Sequence, residues 1–461
     1  MASVDAVDLA VLSNRGPVSF RWDDSGRLVA RRGAGGLIAT LGPGVERTGA
    51  LWMAAAITDA DRDAASTDAV DADGFTLRSL LIEPDLYRAA YGVIANKTLW
   101  FLHHGLWDLS RLPRFDRYWW QAWDAYREFN QRFADAAAKE VAEGGTVLIQ
   151  DYHLSLVPAA LAAIRPDLHL ATFHHTPFCT PSELRVLPDA VATELIEGMA
   201  GARACGFHSA RWARQFEACA AEVLGRVPPT FVAPAAADLA GVHEVAAGAE
   251  CAREIERLEA RIGGRQLIVR VDRIELSKNL LRGFLAFDHL LADEPRRRGR
   301  VSFAAYVYPS REDLPEYLAY RQEMETLVRL INDRWASDDW TPILLDTGDD
   351  YPQSVAGLCR YDVLLVNPIR DGLNLVAKEG AAVNQRQGVL ALSAGAGAWD
   401  ELGPFALEVH PFDIAGTAAT LVRALDLPAD ERASRAAQLR AAAEARTPHD
   451  WFADLVRAAR G

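Results

Sequence analysis

Short apolar runs alternate with longer amphipathic stretches along the whole chain, and this alternation predicts strands and helices in turn. In the first half, the runs that predict strands are 9–14, 146–150, 168–175 and 204–209, and the stretches 118–142 and 155–164 predict helices. In the second half, the predicted strands are 266–273, 301–307, 362–368 and 388–393, with helices between them. These runs lack polar alternation, so we expect strands covered on both faces, in parallel sheets built from βαβ units.

Two such series predict an α/β protein with two doubly wound domains. The boundary is expected within 234–245, where the first series ends and charged, helical sequence begins. The acidic segment 59–74 contains few large apolar residues and predicts a surface loop. Residues 449–461 predict an amphipathic helix, and its Trp451, Phe452 and Leu455 need a surface to cover.

Length, charge and cysteine content narrow the class of protein. The chain has 461 residues, more than one ordinary core holds, and its net charge is -14. An acidic chain lacks the basic face that nucleic acids or anionic membranes require, so we expect neither partner. Five cysteines without a C-x-x-C pair predict reduced thiols in a cytoplasmic protein. We also expect neither a signal peptide nor a membrane span.

Polar and cationic residues follow the predicted strands. Because ligands bind at the carboxyl ends of strands in open α/β sheets, these residues predict the site. If the two domains face each other, four cations line one cleft for an anionic ligand: Arg15, Arg273, Lys278 and Arg311. Arg273 and Lys278 suit a diphosphate, as a bidentate fork beside a point charge. The alternative interpretation is that they are ordinary surface cations.

Glu379 is unexpected, because it lies in an apolar helix predicted from about residue 374 to 384. The positive end of that helix favours a phosphate. A lone buried carboxylate costs several kcal/mol unless it is hydrogen-bonded. A sugar diol would donate two hydrogen bonds to it, so we expect Glu379 to bind sugar hydroxyls. The alternative is a salt bridge with Arg273 or Lys278.

No pattern predicts a metal or cofactor site. The pairs His103-His104 and His174-His175 lack the i,i+4 spacing of helical metal ligands, and no Walker loop is present. The glycine-rich stretch 33–36 fits a plain flexible turn as well as a ligand loop.

Six motifs occur in the order found in the trehalose-6-phosphate synthase family: "SNRGP", "GAGG", "QDYHL", "FHHTPF", "VDRIELSKN" and "RDGLNLVAKE". The resemblance runs from residue 11 to about residue 400. It implies the glycosyltransferase B fold, with two Rossmann-like domains facing a cleft. Residues 1–235 would bind the acceptor and residues 236–445 the nucleotide-sugar donor. The terminal helix, 446–461, would pack back on the first domain.

The resemblance also implies a reaction. Glucose would pass from a nucleoside diphosphate glucose to glucose 6-phosphate with retention, giving trehalose 6-phosphate, with no metal or other cofactor. The implied donor-binding residues are Gly35, Gly36, His174, Arg273, Lys278, Asp371, Asn374, Leu375, Val376 and Glu379. The implied acceptor-binding residues are Arg15, Tyr91, Trp100, Asp151 and Arg311. Those implied to act in catalysis are Asp151, His174, Arg273, Lys278 and Asp371. As a lone aromatic pair, Tyr91 and Trp100 are more typical of a core.

The donor base is predicted from an acidic loop, 346–354, where the base should bind. Asp349 or Asp350 could accept the two donors of guanine, and "RIELSKN" resembles an actinobacterial branch that uses GDP-glucose. We therefore favour GDP-glucose over UDP-glucose. Two rival functions stay open: a pseudoglycosyltransferase of the validoxylamine type, and a catalytically silent sensor of sugar phosphates. The sequence leaves homo-oligomer formation open.

Overall fold

The computed structural model describes residues 6–33, 36–46, 48–65, 70–72 and 74–461. The chain divides into two compact units. Unit 1 comprises residues 1–236 and 447–461, and unit 2 comprises residues 237–446. Each unit is described separately below. Gly35, one of the predicted donor-binding residues, lies outside the described residues.

Unit 1 is built on a twisted, mainly parallel sheet. Its strands are β1 (Val7–Leu12), β2 (Val18–Trp22), β3 (Leu28–Arg32), β4 (Leu51–Ala55), β5 (Val70–Ala72), β6 (Phe75–Leu80), β7 (Val141–Gln150), β8 (His169–His174), β9 (Ala204–Phe207) and β10 (Thr230–Val232). The order in the described sheet is β10-β9-β8-β7-β1-β4-β6-β5, with only the β5–β6 pair antiparallel. β2 and β3 form a separate antiparallel hairpin.

The helices of unit 1 connect these strands. They are α1 (Gly36–Val45), α2 (Asp59–Ala65), α3 (Pro84–Tyr87), α4 (Trp100–His104), α5 (Arg117–Glu140), α6 (Val157–Ile164), α7 (Pro181–Leu184), α8 (Asp189–Ala200) and α9 (Ala210–Leu224). A π-helix, Arg88–Leu99, joins α3 to α4, and a 3-10 turn, Tyr152–Leu154, precedes α6. The strand order reverses between β1 and β7, which is where doubly wound sheets bind ligands.

The predicted surface loop at 59–74 is wrong in part. Residues 59–65 form α2, and residues 70–72 form β5. Thr58 and Asp61 cap the start of this helix. Asp61 Oδ2 accepts the N–H of Thr58, and Thr58 Oγ1 accepts the N–H of Asp61. The other oxygen of Asp61 accepts the N–H of Phe20 at 2.7 Å. This reciprocal cap indicates a helix start, whereas the low apolar content of the segment indicates a loop.

Unit 2 is a second open sheet, and all its described strands are parallel. They are β11 (Gln266–Arg273), β12 (Val301–Tyr308), β13 (Ile343–Asp346), β14 (Val363–Val366), β15 (Val389–Ser393) and β16 (Leu407–Val409). The order β13-β12-β11-β14-β15-β16 is that of a dinucleotide-binding fold, and it reverses between β11 and β14. The prediction of an α/β protein with parallel, doubly wound sheets is confirmed.

Helices cover both faces of the second sheet. They are α10 (Leu239–Ala247), α11 (Ala249–Ile262), α12 (Leu280–Asp293), α13 (Pro315–Trp335), α14 (Tyr351–Arg360), α15 (Leu375–Val383), α16 (Trp399–Leu402), α17 (Ile414–Asp426) and α18 (Ala429–Glu444). Three 3-10 turns, Leu276–Lys278, Pro295–Arg297 and Gly403–Phe405, lie between them. Phe284, Phe287 and Phe303 lie in the core that the sheet shares with α12, α13 and α17.

The last helix, α19 (Pro448–Arg460), belongs to unit 1. Its apolar residues Trp451, Phe452 and Leu455 are buried, as expected from the amphipathic pattern. The indole N–H of Trp451 donates to the carbonyl of Ala233 at 3.0 Å. Within the described ranges, none of the helices combines the length and the apolar character that a membrane crossing requires.

Candidate functional site

In unit 2, an ion pair joins the turns that follow β11 and β14, the two strands at the reversal point. Lys278 Nζ lies 2.6 Å from Asp371 Oδ2, and both side chains are mostly buried. Burial alone would lower the pKa of Lys278, but the negative charges of Asp371 and Asp272 outweigh it and hold the pKa above its ordinary value. The ammonium therefore stays charged, and the pair fixes two predicted site residues together.

Arg270, which is not among the residues predicted from the sequence, stabilises the turn that carries Lys278. Its side chain is fully buried, donates to Asp272 Oδ2 at 2.8 Å and donates to the carbonyl of Lys278 at 3.0 Å. The guanidinium thus fixes the backbone that carries the ammonium group. An arginine inside the apolar run "LIVRV" was the available signal.

Arg273 and Arg311 meet at one carboxylate. Glu275 Oε1 lies 3.4 Å from Arg273 Nε and 2.7 Å from an Arg311 terminal nitrogen. Arg311 is mostly buried, whereas 48% of the Arg273 side chain is exposed. The structure therefore brings three of the four predicted cations, Arg273, Lys278 and Arg311, onto neighbouring loops of unit 2.

The N-terminus of α15 follows Asp371 directly. Asn374 adopts a positive φ of 91°, accepts the N–H of Ala377 at 3.0 Å and donates to Asp371 Oδ2 at 3.1 Å. Its side chain thus caps the helix and holds Asp371. Leu375 and Val376 occupy the first turn. The backbone N–H groups of a first turn have no acceptor within the helix, and they attract anions.

Glu379 lies in the middle of α15 and is partly buried. Burial, and then the negative charge of Asp238, raise its pKa to about 7. Among the described residues no ion pair involves Glu379, because Lys278 is engaged by Asp371 and Arg273 by Glu275. The salt-bridge alternative is therefore wrong for the described residues, and Glu379 is a partly buried carboxylate with a pKa of about 7.

The two aspartates of the acidic loop differ. Asp350 is the N-cap of α14, where its Oδ1 accepts the N–H of Gln353 at 3.0 Å. Asp349 is exposed, and no hydrogen bond or ion pair of its side chain is found within the described residues. Asp349 is thus the better candidate for a ligand contact, since Asp350 already stabilises a helix.

In unit 1, Arg15 and Tyr91 are neighbours. Arg15 follows β1, and its guanidinium carbon lies 5.9 Å from the centre of the Tyr91 ring, over its face. Tyr91, on the π-helix, stacks on Tyr87 and on His153. The aromatic column supports an exposed cation, which is the arrangement expected of an anion contact.

Asp151 stands at the end of β7 with a positive φ of 71°. Its Oδ1 accepts the N–H of His175 at 3.2 Å, and its Oδ2 lies 3.6 Å from His153 Nδ1. An aspartate in this backbone conformation is strained, and strain of this kind clusters at functional sites.

His174 is placed differently from its predicted role. It is the last residue of β8, is 2% exposed, and its ring packs against His103 and Phe178. Burial lowers its pKa to about 3, so the ring is neutral. His175 is the first residue after the strand and is less buried, and its backbone N–H donates to Asp151. Its ring nitrogens lie within hydrogen-bonding distance of Gln150 and His208. The ring of either histidine would therefore have to give up contacts to touch a sugar.

Trp100 and Gly36 complete the predicted residues. Trp100 is 2% exposed and stacks on His104 at 4.2 Å, so it lies in the core of unit 1, as expected of a lone aromatic pair. Any effect it has on a ligand passes through its neighbours. Gly36 is the first residue of α1. In the part of the chain that the structure describes, no group of three or more His, Cys, Asp or Glu residues could hold a metal ion.

Three comparisons with known proteins bear on this arrangement. A family model for glycosyltransferase family 20 matches residues 7–460. The trehalose-6-phosphate synthase of Mycobacterium avium is 31% identical over 99% of this chain and 96% of its own.

Two solved structures are also similar. The trehalose-6-phosphate enzyme of E. coli bound with UDP-2-fluoro glucose is 27% identical, with a TM-score of 0.86 over 98% of both chains. The UDP-forming alpha,alpha-trehalose-phosphate synthase of Burkholderia xenovorans, in complex with glucose-6-phosphate, is 28% identical. Its TM-score is 0.85 over 99% of this chain and all of its own.

Proposed function

The chain belongs to glycosyltransferase family 20 and is a glycosyltransferase, and we propose that it makes trehalose 6-phosphate from a nucleoside diphosphate glucose and glucose 6-phosphate. The observation that carries the proposal is the cluster of Arg273, Lys278 and Asp371 beside the N-terminus of α15. The E. coli relative bound with UDP-2-fluoro glucose and the Burkholderia relative with glucose-6-phosphate supply the two substrate classes.

Unit 2 is the proposed donor-binding unit. The exposed guanidinium of Arg273 and the ammonium of Lys278 would hold the diphosphate, and the N–H groups of Leu375 and Val376 would donate hydrogen bonds to its oxygens. The helix end alone favours an anion by ~0.3–1 kcal/mol, so the two cations would supply most of the attraction.

Glu379 is the proposed ribose contact. An ionised carboxylate accepts two hydroxyl hydrogen bonds at once, whereas burial and the charge of Asp238 raise the pKa of Glu379 to about 7. When the nucleotide binds, two hydroxyl donors would stabilise the charged form and lower that pKa.

The acceptor contacts are proposed in both units. In unit 1, Arg15 on the Tyr91 ring would bind the phosphate of glucose 6-phosphate, and Asp151 would accept a sugar hydroxyl. Arg311, which belongs to unit 2, would add a second cation to the acceptor phosphate. Trp100 would shape this site from the core.

Retention is proposed to follow a front-face route. The leaving phosphate would take the proton of the incoming hydroxyl, so the protein would supply positioning and electrostatic support. Arg273 and Lys278 would stabilise the charge that builds on the departing diphosphate. Asp371 would hold the transferred sugar, and His174 or His175 would add a second contact. No metal or other cofactor enters this scheme.

GDP-glucose is the proposed donor in preference to UDP-glucose. Guanine offers an N1–H and an exocyclic amine, and Asp349 has a carboxylate available to accept both. Asp350 would act by holding the start of α14.

A turnover assay tests the proposal. The purified chain is incubated with glucose 6-phosphate and either GDP-glucose or UDP-glucose, and trehalose 6-phosphate is read by mass, with its anomeric configuration by NMR. We expect an α,α product, formed with the higher kcat/KM from GDP-glucose. Free glucose in place of glucose 6-phosphate serves as the matched control and should give no phosphorylated product.

Binding of both ligands without product would favour the sensor. A nitrogen-linked product, formed from cyclitol substrates alone, would favour the pseudoglycosyltransferase.

A further inference from the structure

Glu275 is a buried carboxylate to which the proposed mechanism gives no role. It lies between β11 and the 3-10 turn Leu276–Lys278, and its side chain is 2% exposed. Its N–H donates to the carbonyl of Arg273 at 2.8 Å, and its own carbonyl accepts the N–H of Lys278 at 3.1 Å. Both its main chain and its side chain are therefore fixed.

Three side chains contact one carboxylate oxygen of Glu275. Arg311 donates to Oε1 at 2.7 Å, Ser310 Oγ donates at 3.0 Å, and Arg273 Nε lies 3.4 Å away. The same Arg311 nitrogen donates to the phenol of Tyr317 at 2.9 Å. The carboxylate is thus the common counterion of two guanidinium groups, one at the last residue of β11 and one on the loop after β12.

The backbone of Arg311 adopts an unfavourable conformation. Its φ is +45°, a conformation that side chains other than glycine rarely adopt, so the loop is strained unless contacts stabilise it. The contacts of its side chain include those to Glu275 and Tyr317. Losing the charge of Glu275 would remove the stronger one.

Electrostatics point the same way. The charge of Glu275 raises the pKa of Arg273, whereas burial and the neighbouring charge of Arg311 lower it. The two guanidinium groups therefore repel each other, and the carboxylate between them offsets that repulsion. Asp371 also raises the pKa of Arg273, but Glu275 has the largest effect on it.

We propose that Glu275 is a positioning residue that holds Arg273 and Arg311 in register, and so couples donor binding to acceptor binding. The inference rests on the proposed function, which gives Arg273 the donor diphosphate and Arg311 the acceptor phosphate. Glu275 contacts neither substrate, and it acts only through the two arginines.

The test variant is Glu275→Gln, which keeps the shape and removes the charge. We expect the KM of both substrates to rise by about tenfold, since each loses the alignment of one charge-assisted contact. Glu275→Asp, which keeps the charge on a shorter stem, should recover part of both changes. A merely structural role would lower the active fraction and leave both KM values unchanged.

Glu259→Gln is the matched control, because Glu259 pairs with the buried Arg360 of the same unit. It should leave both KM values within about twofold. A Glu275→Gln enzyme with one altered KM or none would overturn the coupling.

If Glu275→Gln does not fold, Arg311→Lys keeps the test open. The proposal then requires the donor KM to change by more than twofold together with the acceptor KM.

Calorimetric titration of GDP and glucose 6-phosphate separates this inference from the proposed function. If the unaltered chain binds both ligands but makes no product, the function fails while the coupling is still measured. GDP affinity that falls in Glu275→Gln, together with glucose 6-phosphate affinity, supports the coupling. Unchanged affinities for both refute it.

Discussion

The ends of the strands in the two units are built from different chemistry. In unit 2, cations and carboxylates form a connected set: Lys278 pairs with Asp371, and Arg273 and Arg311 share Glu275. In unit 1, one exposed arginine rests on a column of aromatic rings, among histidines that burial keeps neutral. Unit 2 therefore holds its charges fixed before any ligand arrives, whereas unit 1 offers one cation on an apolar support.

This difference fits the ligands proposed for each unit. A departing diphosphate gains charge during the reaction, so its cations must be fixed in advance to lower the barrier. A phosphate that only anchors an acceptor needs attraction but no change in charge. Substitutions in unit 2 should therefore reduce kcat and binding together, and those in unit 1 should act mainly on acceptor binding.

The largest effect is expected from Arg273→Ala or Lys278→Ala. Each should lower kcat/KM by about 10²–10³, since losing a principal electrostatic contact costs ~3–4 kcal/mol of barrier stabilisation. Steady-state kinetics with varied donor measure the change. Arg296→Ala is the control, because Arg296 is an exposed, ion-paired arginine of the same unit. Unchanged kinetics in either site variant would remove that cation from the donor clamp.

A smaller effect is expected from Arg15→Ala in unit 1. It should raise the acceptor KM by about tenfold to a hundredfold, the worth of one charge-assisted hydrogen bond, with the donor KM nearly constant. Arg27→Ala, at an exposed arginine of the β2–β3 hairpin, is the matched control. If the donor KM rose as much as the acceptor KM, the contrast between the units would fail.

Glu379→Gln should abolish a pH dependence. The pKa of Glu379 is raised to about 7, so the ionised form that accepts two hydroxyls is lost as pH falls through about 7. In the unaltered chain, donor kcat/KM should decline below pH 7, and in Glu379→Gln it should be flat and about tenfold lower at pH 8. Glu408→Gln, at an exposed glutamate of β16, is the control and should keep the decline of donor kcat/KM below pH 7.

Stability should show the opposite trend, and this is a second readout of the same group. Because the folded state raises the pKa above its unfolded value, the unaltered chain loses stability as pH rises from about 5 to about 8. Glu379→Gln should lose less over that range. Identical pH profiles of the free energy of unfolding would show that Glu379 is not held near neutrality.

The smallest effect concerns the donor base. Asp349→Ala should reduce the preference for GDP-glucose over UDP-glucose by about twofold to tenfold, the worth of one or two exposed hydrogen bonds. Asp350→Asn is the control, since asparagine caps α14 as well as aspartate does. A ratio that Asp349→Ala leaves unaltered would exclude the acidic loop from base selection.

Much of the fold could be predicted from the sequence, because buried parallel strands are short and apolar. The predicted strand 266–273 coincides with β11, and the predicted helix near 374–384 with α15. The pattern does not predict strands β4 and β6, although β4 is buried throughout, and it predicts one loop for the acidic stretch between them. Its helix depends on the reciprocal cap of Thr58 and Asp61, which composition does not reveal.

The site could be predicted only in outline. Residues at strand ends were found, because topology alone brings the ends of β11 and β14 to one edge. The choice between His174 and His175 depends on where β8 ends, and a one-residue shift exchanges a buried ring for a more exposed one. Glu275 acts through Arg311, 36 residues further along the chain, so no local pattern marks it. Arg270 acts through Asp272 and Lys278, which are close to it in sequence, and an arginine within an apolar strand is its only mark.

The fixed charges of unit 2 are proposed to bind the donor nucleotide, and a crystal structure with bound GDP would decide whether they do. We expect the diphosphate within hydrogen-bonding distance of Arg273 and Lys278, against the first turn of α15, with both ribose hydroxyls on Glu379. A nucleotide bound away from these three side chains would contradict this proposal.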